Sequence, residues 1–120
     1  DADRYRAALE STWPKGKPVE VDAIFSFNDL GAMVTCNFLA ERGVRVPQDV
    51  AVVGFNDDPS AAVWRPPLAS GDRRRADLAH ATEQMLLSRL ADPRLAPRQQ
   101  TVSMKFVWRE SAGGSWLGQF

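Results

Sequence analysis

The sequence predicts an α/β fold built on a parallel sheet, and three observations carry that expectation. Two apolar runs, Ala23 to Phe27 and Val50 to Phe55, flank a segment, Leu30 to Arg42, whose apolar residues (Leu30, Met33, Val34, Phe38, Leu39) recur at helical spacing. A strand-helix-strand unit closes as a right-handed crossover, which makes its strands parallel neighbours. Both runs end on the same three residues, Phe27-Asn28-Asp29 and Phe55-Asn56-Asp57, so parallel pairing brings the two triplets to one edge of the sheet. A second amphipathic segment, Ala76 to Leu90, supplies a further helix.

In chain order, Asp3 to Ser11 reads as a short helix with Tyr5, Ala8 and Leu9 on one face. Trp13-Pro14-Lys15-Gly16-Lys17-Pro18 stops it and forms a loop. The first strand and the central helix follow, and Gly43 terminates that helix. Gly43 and Pro47 punctuate the link to the second strand. Past Asp58, Pro59 breaks the chain and leaves room for one helical turn over Ser60 to Val63. Pro66-Pro67 forbids regular structure, and Leu68 to Ser70 reads as a short extended piece. In the helix Ala76 to Leu90, Leu78, Ala79, Thr82, Met85, Leu86 and Leu90 share a face, and Asp92-Pro93 ends it. Val102, Met104, Phe106 and Trp108 alternate with polar neighbours as a strand with one buried face, which places Trp108 in the core. Gly113-Gly114 opens a tail in which Trp116 and Phe120 either dock or stay unstructured.

The edge beyond the carboxyl ends of parallel strands is where open α/β sheets bind ligands. Two amides (Asn28, Asn56) and the carboxylates Asp29, Asp57 and Asp58 gathered there suit a hydroxyl-rich or amide-bearing molecule. A plainer account also fits the first triplet, with Asn28 capping the central helix and Asp29 favouring its first turn. The second triplet has no long helix behind it to cap, which favours the ligand reading.

Composition excludes several classes. The 120 residues are 44% hydrophobic and 25% charged, ordinary for a soluble globular domain. Zero formal net charge gives no overall drive toward nucleic acid or an anionic membrane. No apolar run approaches the ~20 residues that span a bilayer, and the opening Asp1-Ala2-Asp3-Arg4 has no secretory pattern. Cys36, the only cysteine, permits no internal disulfide and suits a reducing cytoplasm. The acidic trio lacks the spacing of a calcium loop, so no metal is expected. His80 reads as a solvated helical residue, no serine or cysteine has a base partner, and no phosphate loop follows either strand. An enzyme is therefore not expected, and neither is a cofactor. Arg73-Arg74-Arg75, flanked by Asp72 and Asp77, reads as a solvated helix start. Trp64 beside Pro66-Pro67 stacks on a ligand or packs at a subunit contact.

In order, Asp22-Ala23-Ile24-Phe25-Ser26-Phe27-Asn28-Asp29, then Gly43-Val44-Arg45-Val46-Pro47-Gln48-Asp49-Val50-Ala51-Val52-Val53-Gly54-Phe55-Asn56-Asp57, then Arg65-Pro66-Pro67-Leu68 resemble the effector-binding domain of the lactose-repressor (LacI/GalR) family of bacterial transcription regulators. The later helix and the ending Trp108-Arg109-Glu110-Ser111 extend the likeness over roughly Tyr5 to Ser111. The resemblance implies a periplasmic-binding-protein-like fold in which two α/β lobes close on a sugar or nucleobase. It implies the carboxyl-terminal lobe at about 1–70, a crossover helix and strand at about 71–111 and a tail at 112–120, with the DNA-reading module outside this sequence. It implies ligand contacts at Asn28, Asn56, Asp29 and Asp57, and a homodimer interface on Leu30 to Arg42 and Pro59 to Leu68, where Met33, Cys36, Asn37 and Trp64 form a mixed apolar surface.

Departures from the family pattern are equally specific. Asn56 stands where the family carries an Asp, and an amide both donates and accepts while a carboxylate only accepts. The family's Thr-Thr-aliphatic run is Ala69-Ser70-Gly71 here, followed by Asp72-Arg73-Arg74-Arg75. The expected function is ligand sensing in a cytoplasmic transcription regulator. The alternative is a sugar-binding protein of a transport system, disfavoured by the absent signal, the single thiol and the Pro-Pro-Leu stretch.

Overall fold

The computed structural model describes residues 1–113, so Trp116 and Phe120 of the expected tail lie outside the described residues. Helix α1 (Ala2–Thr12) starts where the Asp1 carboxylate accepts the Asp3 N–H at 3.1 Å. Trp13, restricted by the proline after it, ends the helix at φ −124° and ψ 79°, outside the helical region. Strand β1 (Ala23–Phe25) stops two residues short of its apolar run. Helix α2 (Asp29–Glu41) is capped by Asn28, whose Oδ1 accepts the Gly31 N–H at 2.8 Å. Gly43, at φ +73°, turns the chain out of α2 at a left-handed position that a side chain disfavours.

Strand β2 (Ala51–Phe55), the short helix α3 (Pro59–Val63), strand β3 (Ala69–Asp72), helix α4 (Arg75–Ala91) and strand β4 (Lys105–Val107) complete the order. The sheet runs β1-β2-β3-β4, with β1, β2 and β3 parallel and β4 antiparallel to β3. The expected parallel sheet is thus parallel-dominated rather than pure.

One face of this sheet is covered. Val50, Val52, Ala61 and Leu68 pack with Ala32, Met33, Cys36, Phe38 and Leu39 of α2 into a single apolar core, and Leu9 and Trp13 close it from α1. Of the expected interface set, Met33 and Cys36 are largely buried in this core, and Cys36 also borders an open hollow beside Asn37. Helical spacing put Met33, Cys36 and Phe38 within reach of one buried stripe, and the apolar side chains follow the larger burial. Asn37 is exposed and Trp64 half-buried. Arg6 clamps the α1–α2 pair with hydrogen bonds to Glu10 at 2.7 Å and to Glu41 at 2.8 Å. The Arg6 guanidinium in turn holds the Glu41 carboxyl below the usual range.

The chain's far end is less embedded. Helix α4 has one buried residue, Ala81, and its leucines are open, Leu78 at 44%, Leu86 at 56% and Leu90 at 68% exposure. A radius of gyration of 18.5 Å exceeds the ~13 Å of a compact chain of this length. Trp108, expected in the core, is half exposed, as is Met104, because only three β4 residues pair with β3 and nothing among the described residues covers their outer side. Among the described residues, no helix is long and apolar enough to cross a membrane.

Candidate functional site

The β1–β2 register aligns Ala23 with Ala51 and Phe25 with Val53. The same sequence offset relates Phe27 to Phe55 and Asn28 to Asn56, so the two triplets leave the sheet side by side at its carboxyl edge. From there the four polar residues separate into two kinds.

Two of them turn inward. Asp29 is fully buried, its Oδ1 accepting the Ser70 hydroxyl at 2.6 Å and its Oδ2 the Asp58 N–H at 2.7 Å. Gly54 leaves the room this requires, since a Cβ there would stand 2.2 Å from Asp29 Oδ1. Ser70 Oγ also accepts the Asp57 N–H at 3.0 Å. The Asp57 carboxylate accepts the Arg109 Nη1–H at 2.7 Å, and the same nitrogen donates to the Leu68 carbonyl at 2.8 Å. Of the expected ligand set, the carboxylates of Asp29 and Asp57 are thus engaged within the chain, where they brace the loop between β2 and α3. A buried carboxylate needs several donors, and the interior supplies them.

The other two face out. Asn28 uses its side-chain oxygen on Gly31, so the capping account holds for it, and that hydrogen bond leaves its amide N–H2 uncommitted. Asn56 has φ +109° and Asp57 φ +51°, a left-handed pair that asparagine and aspartate tolerate better than other side chains. The Asn56 N–H donates to the Gly71 carbonyl at 2.9 Å and fixes the reversal. As a result the Asn56 side chain lines an open cleft of about 330 Å³ together with Phe25, Phe27, Phe55 and Arg73. Phe25 and Phe27 are 66% and 81% exposed, and the Phe25 and Phe55 rings meet edge-on at 6.3 Å. Rings of this kind offer flat apolar area to a sugar face or a base, while Asn56 offers an amide donor and acceptor beside them.

Sequence reasoning missed the bracing set Ser70, Arg109 and Ser111. Ser111 Oγ donates to the Val52 carbonyl at 2.6 Å and accepts the Ala69 N–H at 2.8 Å, tying the chain's end to β2 and β3. The available signal was a hydroxyl inside an apolar run at Ser70 and a charge at a strand end at Arg109. Within the arginine run, Arg73 is exposed, as the solvated reading expects, while Arg74 pairs with Asp77 at 2.5 Å and Arg75 lies 3.9 Å from Asp58. Trp64 sits near Cys36 and not on the cleft, with its indole N–H buried and without a hydrogen-bond partner. Burial pushes the Cys36 thiol up to about 11. Among the described residues, no three His, Cys, Asp or Glu side chains group as a metal site. Two larger hollows, about 460 and 480 Å³, lie beside the loops leading into β2 and β1 and contain neither triplet.

Comparison with known proteins agrees with this architecture. The profile of the periplasmic binding protein-like domain matches residues 1–112. The lactose operon repressor of Rhizobium radiobacter is 34% identical over 94 residues, which is 78% of this chain and 82% of that protein. A LacI-family transcriptional regulator from Sanguibacter keddieii DSM 10542 superposes with a TM-score of 0.77 at 36% identity, covering 94% of this chain and 40% of that one. The regulator CelR in its cellobiose complex superposes with a TM-score of 0.74 at 28% identity, covering 92% and 32%. The chain spans 27% of the length of other curated regulators it matches.

Proposed function

Because the chain belongs to the periplasmic binding protein-like family, among its LacI-type transcriptional regulators, we propose that it forms one wall of a small-molecule effector site and does no chemistry itself. The observation that carries this reading is the exit of Phe27 and Phe55-Asn56 from neighbouring parallel strands onto an aromatic-walled cleft, with Asn28 following Phe27 at the same sheet edge. The similarity to a regulator solved with cellobiose points to sugars as the first ligand class, with nucleobases as the second. Ligand sites bury most of the ligand, ~70–90% of its surface, and rings as open as Phe25 and Phe27 cover one side only. In this reading the opposing wall and the DNA-reading module lie outside this sequence, about 1–70 is one lobe, and about 71–111 crosses to the other. The uncovered leucines of α4 support that crossing. Regulation then acts through differential affinity for open and closed lobe arrangements, in the cytoplasm and in a homodimer.

Nuclear magnetic resonance (NMR) titration of the 120-residue chain with sugars, nucleosides and nucleobases tests the site. Weak shifts centred on Phe27, Asn28 and Asn56 are expected. Micromolar affinity would show the site complete on this chain and overturn the one-wall reading, and no shift with any ligand would overturn the site. Asn28→Asp keeps the cap oxygen but removes the free amide donors, so it isolates ligand contact from helix capping. Asn28→Asp and Asn56→Asp are both expected to change the ligand profile with the fold retained.

A further inference from the structure

The cleft has an electrostatic character that its aromatic walls do not explain. Its polar lining is Asn56 and Arg73, and no carboxylate lines it. Every acidic residue near that edge is engaged elsewhere. Asp29 is buried under Ser70 and the Asp58 N–H. Asp57 is paired with Arg109, with side chains 23% and 18% exposed. Asp58 lies toward Arg75, and Asp72 Oδ1 accepts the Arg74 N–H at 2.7 Å. Arg74 is held by Asp77. Of the three consecutive arginines, Arg73 therefore has no ion-pair partner among the described residues, and it is the one whose side chain lines the cleft.

The sign of this arrangement decides the ligand. A neutral polyol gains from carboxylate acceptors, which take hydrogen bonds from its hydroxyls, and the cleft offers none. A guanidinium has no acceptor and presents a planar fork of donors that matches a carboxylate or phosphate bidentately. The Asn56 amide adds N–H donors beside it, and an amide tolerates an anion where a carboxylate would repel one. The partly apolar walls strengthen such a contact once a ligand excludes water.

We propose that the juxtaposition of unpaired Arg73 with Asn56, between the rings of Phe25, Phe27 and Phe55, selects a ring-bearing ligand that carries an anionic group, a carboxylate or a phosphate. The inference rests on the effector-site reading above and narrows its ligand class. The ring stacks on the phenylalanines and the acid group meets Arg73. Phenylalanine faces alone do not distinguish charged from neutral rings, so Arg73 determines the preference.

Matched probes test this on the full 120-residue chain: glucose, glucuronate and glucose 6-phosphate, followed by NMR at the Arg73 Nε–H and the Asn56 side-chain amide. At least tenfold tighter binding of one charged probe than of glucose is expected, and the tighter of the two identifies carboxylate or phosphate. The preference should weaken with added salt. Arg73→Gln, at an exposed position, should erase the preference by weakening the charged probe at least tenfold and keep the rest of the spectrum. Equal or tighter binding of glucose, with shifts still centred on Phe27 and Asn56, overturns the anionic class while the effector site stands. A preference that survives Arg73→Gln overturns the role of Arg73. Absence of shifts with all three probes and with the wider panel of neutral ligands overturns both.

Discussion

Asp29 and Ser70 meet in the interior, the Ser70 hydroxyl donating to Asp29 Oδ1 at 2.6 Å with both residues fully buried. This contact joins the start of α2 to β3, and Gly54 of β2 lies against it. The edge that presents Asn28 and Asn56 is thereby held from beneath by polar residues that never reach the cleft.

Removing the acceptor strands the buried Ser70 hydroxyl and the part-buried Asp58 N–H. Asp29→Ala is expected to cost about 1–3 kcal/mol in urea unfolding. Gly54→Ala drives a methyl into the same carboxylate and should cost about 1–3 kcal/mol by overpacking. The double variant Asp29→Ala/Gly54→Ala should lose clearly less than the two single costs together, because the first change vacates the space the second needs. Additive costs would show that the clash is relieved elsewhere.

The Cys36 thiol, buried against Trp64 and pushed up to about 11, stays protonated at neutral pH. Since the thiolate is the reacting form, iodoacetamide should modify the folded chain slowly and the urea-unfolded chain quickly. Rapid labelling of the folded chain would place Cys36 on a surface after all.

Asp49 accepts from the Arg45 guanidinium at 2.6 Å and from the Arg45 backbone N–H at 2.8 Å, and these bonds hold its carboxyl down to about 2 against an ordinary 3.8. Because the folded value is the lower one, the contact favours the folded loop fully above 3.8 and is lost as pH falls through 2. Carbon-detected NMR titration should follow Asp49 at the depressed value, and Arg45→Ala should raise it toward 3.8 while the backbone N–H keeps part of the depression. An unchanged titration in that variant would mean the guanidinium does not set it.

Self-association is expected from two surfaces, the exposed side of α2 around Asn37 and the open leucines of α4. Light scattering across a concentration series should show a dimer. Asn37→Arg should weaken it, and Leu86→Gln with Leu90→Gln should weaken it further while raising solubility. A charge at Met33 is expected to unfold the chain instead, since Met33 belongs to the core. A monomer at every concentration would remove both surfaces from consideration.

What the sequence determined by itself was the order of elements and the edge at which polar residues collect. Helical and strand spacing are local, so α1, α2, β2 and α4 fall within one or two residues of the periodic patterns at Asp3, Leu30, Val50 and Ala76. Repetition of Phe-Asn-Asp was enough to bring both triplets to one edge, because a crossover makes the strands parallel, and the observed register then aligns them. The tertiary structure alone decided which members of that edge face a ligand. Asp29 and Asp57 look equivalent to the asparagines in the sequence, yet partners 41 and 52 residues away draw them inward. Arg73 looks like its two neighbours, and it differs only because Asp77 and Asp58 lie within reach of Arg74 and Arg75. For Asp29 and Asp57 these choices depend on long-range hydrogen bonds and an ion pair, which form only after the sheet has assembled. Periodicity carries no record of them.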